Sequence, residues 1–120
     1  MNLKKETLQV LKDNGKTAED IRWVGGSKYA IPTELFWKLA DAEYYDGYGA
    51  QEVATDLVVV GNDWWIERAE YDGSEWWEFK TLPVKPLLEK NVVSVVGGMW
   101  STLEEIDSEW EKENEIGKCR

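Results

Sequence analysis

Apolar residues recur at helical spacing from the start of the chain. Leu3, Thr7, Val10 and Leu11 share one face of a segment that Asn2 can cap and Gly15 can stop in a left-handed conformation, so the pattern predicts a helix over 3–14. Thr17–Asp20 reads as a short turn. Ile21–Val24 and Lys28–Ile31 then read as two strands joined through Gly25-Gly26-Ser27. Pro32-Thr33-Glu34 opens a second predicted helix over about 34–45, with Leu35, Phe36, Leu39 and Ala42 as its buried stripe.

The period then shortens. Tyr44–Gly49 sets three tyrosines and two glycines in a shaped loop, and 50–55 is expected to form one helical turn. Leu57–Val60 is a continuous apolar run, β-branched from Val58 on, the mark of a central strand covered on both faces. Trp64–Tyr71 and Glu75–Thr81 flank Asp72-Gly73 and predict a hairpin. Val92–Val96 is expected to add a strand ended by Gly97-Gly98. Ser101-Thr102-Leu103-Glu104 reads as a capping box that opens an acidic helix to about Asn114, striped by Leu103, Ile106 and Trp110. These elements predict a single α+β domain over 1–120: an antiparallel sheet of four to six strands with N-terminal, central and C-terminal helices.

The hairpin permits a register. A two-residue turn pairs Tyr71 with Ser74, Ala69 with Trp76, Arg68 with Trp77 and Ile66 with Phe79. One face then carries Trp64, Ile66, Arg68, Trp77 and Phe79, with Arg68 able to lie across Trp77. The other carries Trp65, Glu67, Tyr71, Trp76, Glu78 and Lys80. A three-residue turn would set Ile66 opposite Glu78 and mix the faces, so the two-residue turn is expected. Whether Trp65 and Trp76 face water or lie under a helix decides whether they are contact residues or core.

Composition adds exclusions. In 120 residues there are eight tryptophans, no histidine and one cysteine, Cys119. A histidine base, a histidine-ligated metal and an intramolecular disulfide are thereby ruled out. The net charge of −10 is concentrated: residues 1–30 sum to +2, 31–80 to −9 and 81–120 to −3. Such a field disfavours direct contact with nucleic acid or an anionic membrane and steers basic protein surfaces inward. The apolar runs are too short to span a membrane. Beyond Lys4-Lys5 no apolar core develops, because Glu6, Thr7 and Gln9 interrupt the segment, so no signal peptide is expected. Cys119 does not sit in a prenylation box, and a lone cysteine suits a reducing compartment.

Catalytic patterns are weak. Glu67 and Glu78 could stand at about 5 Å, the spacing of retaining glycosidases, with Trp65 and Trp76 as sugar platforms, but such chemistry needs a deep cleft. A carbohydrate-binding module is the milder form of that reading. Asp41 to Glu52 grazes the calcium-loop pattern, yet Tyr45 and Asp46 stand where a ligand and a glycine are required. Gly47-Tyr48-Gly49 lacks the third glycine and the Lys of a phosphate loop, and no serine has an activating partner motif. No catalytic, metal or cofactor-binding residue is expected, and no cofactor.

The stretch Asp63-Trp64-Trp65-Ile66-Glu67-Arg68-Ala69-Glu70-Tyr71-Asp72-Gly73-Ser74-Glu75-Trp76-Trp77-Glu78-Phe79-Lys80 resembles small uncharacterised acidic proteins encoded by phages and prophages of Gram-positive bacteria, the likeness being strongest over about 56–86. The resemblance implies a phage setting, and with it the cytoplasm of a host bacterium, but no site residues. The expected function is a non-enzymatic binder that occupies the basic, nucleic-acid-binding surface of a host protein such as a defence nuclease. In that reading the carboxylates of Asp41, Glu43, Asp46, Glu67, Glu70, Asp72, Glu75 and Glu78 stand in for phosphates. Trp65, Trp76, Tyr45 and Tyr48 supply anchors, and Tyr71 belongs to the same partner-binding set. The alternative is a phage assembly factor that forms a homo-oligomer through exposed tryptophans.

Overall fold

A computed structural model describes residues 1–45 and 49–108. They fall in two units, Met1–Pro83 and Val84–Arg120. The first contains helix α1 (Leu3–Asp13), a short 3-10 turn (Ala18–Asp20), strands β1 (Trp23–Gly25) and β2 (Ala30–Ile31), helix α2 (Thr33–Ala40), and strands β3 (Val58–Val60), β4 (Trp64–Tyr71) and β5 (Ser74–Thr81). The sheet has five strands in the order β2-β1-β3-β4-β5, every pair antiparallel. With α1, α2 and a helix in the second unit, the fold is α+β.

Local chemistry explains the elements. The Asn2 side chain accepts the Lys5 N–H at 3.0 Å, which satisfies one of the orphan donors of α1. At its other end Gly15 takes φ 72°, and the N–H groups of Gly15 and Lys16 return to the carbonyls of Lys12 and Leu11, a Schellman closure. In the hairpin Asp72 (φ 52°) and Gly73 (φ 85°) both adopt positive φ, the type I′ geometry whose twist matches two right-twisted strands. The observed pairs include Tyr71 with Ser74, Ala69 with Trp76, Arg68 with Trp77 and Ile66 with Phe79, the expected register.

That register propagates across the sheet. Ile31, Val24, Val59, Ile66 and Phe79 form one continuous rung through all five strands. Residues on a rung point to the same face, and this one lies under the helices. Leu11 of α1 and Phe36 and Ala40 of α2 join Val24, Val59, Trp64, Ile66 and Trp77 in the core. The Trp64 and Phe79 rings stack at 5.8 Å. Full burial of a side chain such as Leu11 or Ile66 stabilises by about 1.5–3 kcal/mol.

Several expectations about elements of the first unit need correction. Helix α2 stops at Ala40, not near 45, because the chain is drawn into extended pairing with the N-terminus: Leu3 N–H donates to Ala42, and Tyr44 N–H to Met1. Its buried row is Phe36 and Ala40, while Leu35 and Leu39 are exposed. Residues 50–55 form no helical turn; the Glu52 N–H is taken by the Glu75 carboxylate instead. Strand β3 is central, but only Val59 is fully buried, and Val58 and Val60 are half-covered on the other face.

In the second unit, 92–96 forms no strand. Its Ser94 hydroxyl bonds the backbone of Val96 in both directions, a local closure that competes with a ladder. The helix there, α3, begins at residue 103 and is described to 108. Its cap is Thr102 paired reciprocally with Glu105, one residue later than the Ser101/Glu104 box. Ile106 is half-buried and Leu103 exposed; Trp110 and the expected end near Asn114 lie outside the described residues. Lys90 pairs with Asp107 at 2.5 Å.

Candidate functional site

The helices of the first unit pack on β1 and β5 from the side of the apolar rung. The opposite sheet face carries two outward rungs. One runs Trp23, Val60, Trp65, Lys80; the next runs Gly25, Val58, Glu67, Glu78. Trp76, opposite Ala69, and Tyr71 at the hairpin end extend the same face. Trp23 is 42% exposed, Trp76 38% and Tyr71 77%, while Trp65 is half-buried. Among the described residues of Met1–Pro83 no helix covers these rings.

The outward acids are partly engaged. The Trp65 indole N–H donates to Glu67 at 2.7 Å, tying the ring to a carboxylate two residues on along the same face. Glu78 is paired with Lys80 at 3.4 Å. Each of the two opposed carboxylates thus has its own partner, and the like-charge juxtaposition is relieved. Asp72 is exposed at the turn beside Tyr71, and Glu70, on the helix-side rung opposite Glu75, is exposed at the hairpin end.

Glu75 is the principal correction among the expected contact residues. It stands on the inward rungs with Arg68 and Trp77, and its side chain is wholly buried. Arg68 Nη2 donates to it at 2.7 Å and to the Tyr44 hydroxyl at 3.2 Å, and Nη1 reaches Glu6 at 3.4 Å. Tyr44 donates a short hydrogen bond to Glu6. The guanidinium lies over the Trp77 ring at 4.8 Å and the Tyr44 ring at 5.5 Å. Trp77 in turn donates to the Thr7 hydroxyl at 2.9 Å. Burial works against the Arg68 charge, but its bonds to Tyr44 and Glu75 outweigh that and hold its pKa above the usual value. Burial, then the Glu6 hydrogen bond, pushes the Tyr44 phenol upward. This knot ties α1, the 44–52 segment and the hairpin together.

Comparison with family models, curated proteins and solved structures finds no match.

The expected site residues therefore divide. Trp65, Glu67, Tyr71, Asp72, Trp76 and Glu78 share the open sheet face and its hairpin end. Asp41, Glu43 and Tyr45 follow α2 on the helix side, where Tyr44 meets Arg68. There Glu43 approaches Asn2 and the Met1 amine, and the Tyr45 N–H donates to Glu52 at 2.8 Å. Asp46 and Tyr48 lie outside the described residues. Trp23 belongs to the sheet face without a local signal to mark it, since its place depends on β1 pairing with the distant β3, where its partner is Val60. Among the described residues no group of three metal-ligating side chains converges, and no helix is long and apolar enough to cross a membrane.

A cleft of about 390 Å³ opens on the helix side between α2 and the 52–57 segment. A second hollow of about 350 Å³ adjoins it, sharing Ile31, Ala54 and Leu57 and bordered by Asp56. Asp56 accepts both the backbone N–H and the hydroxyl of Ser27 at 2.8 Å, bonds that lower its pKa.

Proposed function

We propose that the chain is a non-enzymatic acidic binding protein, of phage origin, that docks on a basic nucleic-acid-handling surface of a host protein and competes with nucleic acid for it. The observation that carries this reading is the sheet face left bare by the helices of the first unit, on which Trp23, Trp65 and Trp76 present part-exposed indoles beside Glu67 and Glu78. Aromatic rings on a rigid strand pair are efficient anchors, because little side-chain freedom is lost when they are covered. The surplus of negative charge favours a basic partner and speeds its approach. The resemblance of residues 63–80 to small phage proteins supplies the setting.

The test is affinity capture from a host lysate with the wild-type chain and with Trp65→Ala and Trp76→Ala in parallel. The expected result is a basic protein retained by wild type, released by rising salt or by added DNA, and weakened at least about tenfold by either substitution. Capture of no protein, or of one indifferent to salt, DNA and both indoles, refutes the proposal.

A further inference from the structure

The cleft on the helix side has a composition that suits the same class of partner. Leu3, Phe36, Leu39, Val53, Ala54 and Leu57 make its walls apolar, and Glu43 and Glu52 stand at its rim. Leu39 is 63% exposed, so apolar surface is left open here. The walls are built largely from a stretch with an unusual charge pattern. From Leu39 to Glu67 the sequence holds seven acids and neither Lys nor Arg. The adjoining hollow adds Asp56 and one cation, Lys28. An apolar recess of about 390 Å³ falls within the range of ligand sites, and the exposed carboxylates around it add a salt-screened attraction for cations.

We propose that this cleft is an anchor pocket that takes one apolar side chain, of leucine to phenylalanine size, from a partner segment carrying Lys or Arg on both sides of it. The proposal rests on reading the chain as a binder of basic partners and names where such a partner inserts. An uncharged or acidic segment would bury the same apolar group without the attraction of Glu43, Glu52 and Asp56, so charge complementarity selects the basic one. The sheet face and the cleft lie on opposite sides of the sheet, so each can be tested without disturbing the other.

The probe is the end-blocked hexapeptide Lys-Lys-Phe-Leu-Lys-Lys, titrated into the full isotope-labelled chain and followed by amide chemical shifts. Shifts concentrated in 39–44 and 53–57, falling off with salt, are expected. Hexalysine and Glu-Glu-Phe-Leu-Glu-Glu should bind at least about tenfold more weakly. Ala54→Trp, which fills the recess, and Leu39→Lys, which places a cation at an exposed wall position, should each weaken the basic apolar peptide to a similar extent. Two variants with unchanged thermal melting guard against misfolding of either. Equal binding of hexalysine, absence of shifts at about 1 mM peptide, or shifts confined to Trp23, Trp65 and Trp76 overturns the anchor pocket. In the last case the sheet-face proposal stands. Conversely, loss of captured protein with Trp76→Ala but not with Ala54→Trp refutes only the pocket.

Discussion

Replacing Arg68 with methionine removes the charge around which the first unit is tied. The side chains of Arg68 and Glu75 are both fully buried and meet at 2.7 Å. Methionine fills most of the volume but leaves the buried Glu75 side chain without its partner, and Glu6 loses its contact at 3.4 Å. Breaking a buried pair from one side costs about 3–5 kcal/mol. The cation over Trp77 at 4.8 Å adds a loss of about 0.5–2 kcal/mol. Arg68 Nε is buried without a hydrogen-bond partner among the described residues, and its removal recovers about 1–3 kcal/mol. The net expectation for Arg68→Met is a loss of about 3 kcal/mol, a large share of the roughly 5–15 kcal/mol by which domains are stable. In the double variant Arg68→Met/Glu75→Gln the wholly buried acid is removed along with its partner, and the amide oxygen still accepts the Glu52 N–H that Glu75 takes at 2.7 Å. It should therefore be more stable than the single variant by about 1–2 kcal/mol. Urea unfolding followed by circular dichroism, with matched slopes, measures both. A double variant no more stable than Arg68→Met would refute the assignment of the loss to an uncompensated Glu75.

Three further outcomes are expected. Gly61 has no room for a Cβ, which would stand 2.1 Å from the Trp64 indole, so Gly61→Ala should cost about 1–3 kcal/mol in the same assay. Tyr44 has its pKa raised in the fold, so its contribution is fully present below the unfolded value of 10.0 and is lost as pH rises through the folded one. The stability difference between wild type and Tyr44→Phe should stay flat from neutral pH and shrink only above that value. Asp56 has its pKa lowered from 3.8 by the Ser27 N–H and then the Ser27 hydroxyl, so its contribution is present above that value and lost as pH falls through the folded one. Asp56→Asn should be less stable than wild type at neutral pH and equal to it in acid, as read from thermal melts.

The hairpin is legible in the sequence because two independent signals agree there: Asp72-Gly73 specifies a two-residue turn, and only that turn segregates the faces. The first helix is legible from Asn2 and Gly15 for the same reason. In α2 the signals do not agree. Leu35/Leu39 and Phe36/Ala40 are adjacent apolar rows of one helix, and periodicity cannot say which row meets the sheet. The buried Arg68–Glu75 pair is half-legible, since the register sets Glu75 on the same face as Arg68, diagonal to it across the hairpin. Its remaining members, Glu6 and Tyr44, stand 62 and 24 residues from Arg68 and carry no local signal. Trp23 and the cleft depend in the same way on contacts between distant segments.

The sheet's two margins are unequal. At one end β2 offers two residues, at the other β5 offers eight, and no strand among the described residues pairs with its far side. Should two copies ever join strand to strand through β5, the twofold contact would consume the long margin of both and leave only the stubs of β2 outermost. Growth would halt at a pair, for a two-residue margin is too short a template to recruit a third chain. The fold thus limits edge-to-edge assembly by geometry, whatever its surface charge.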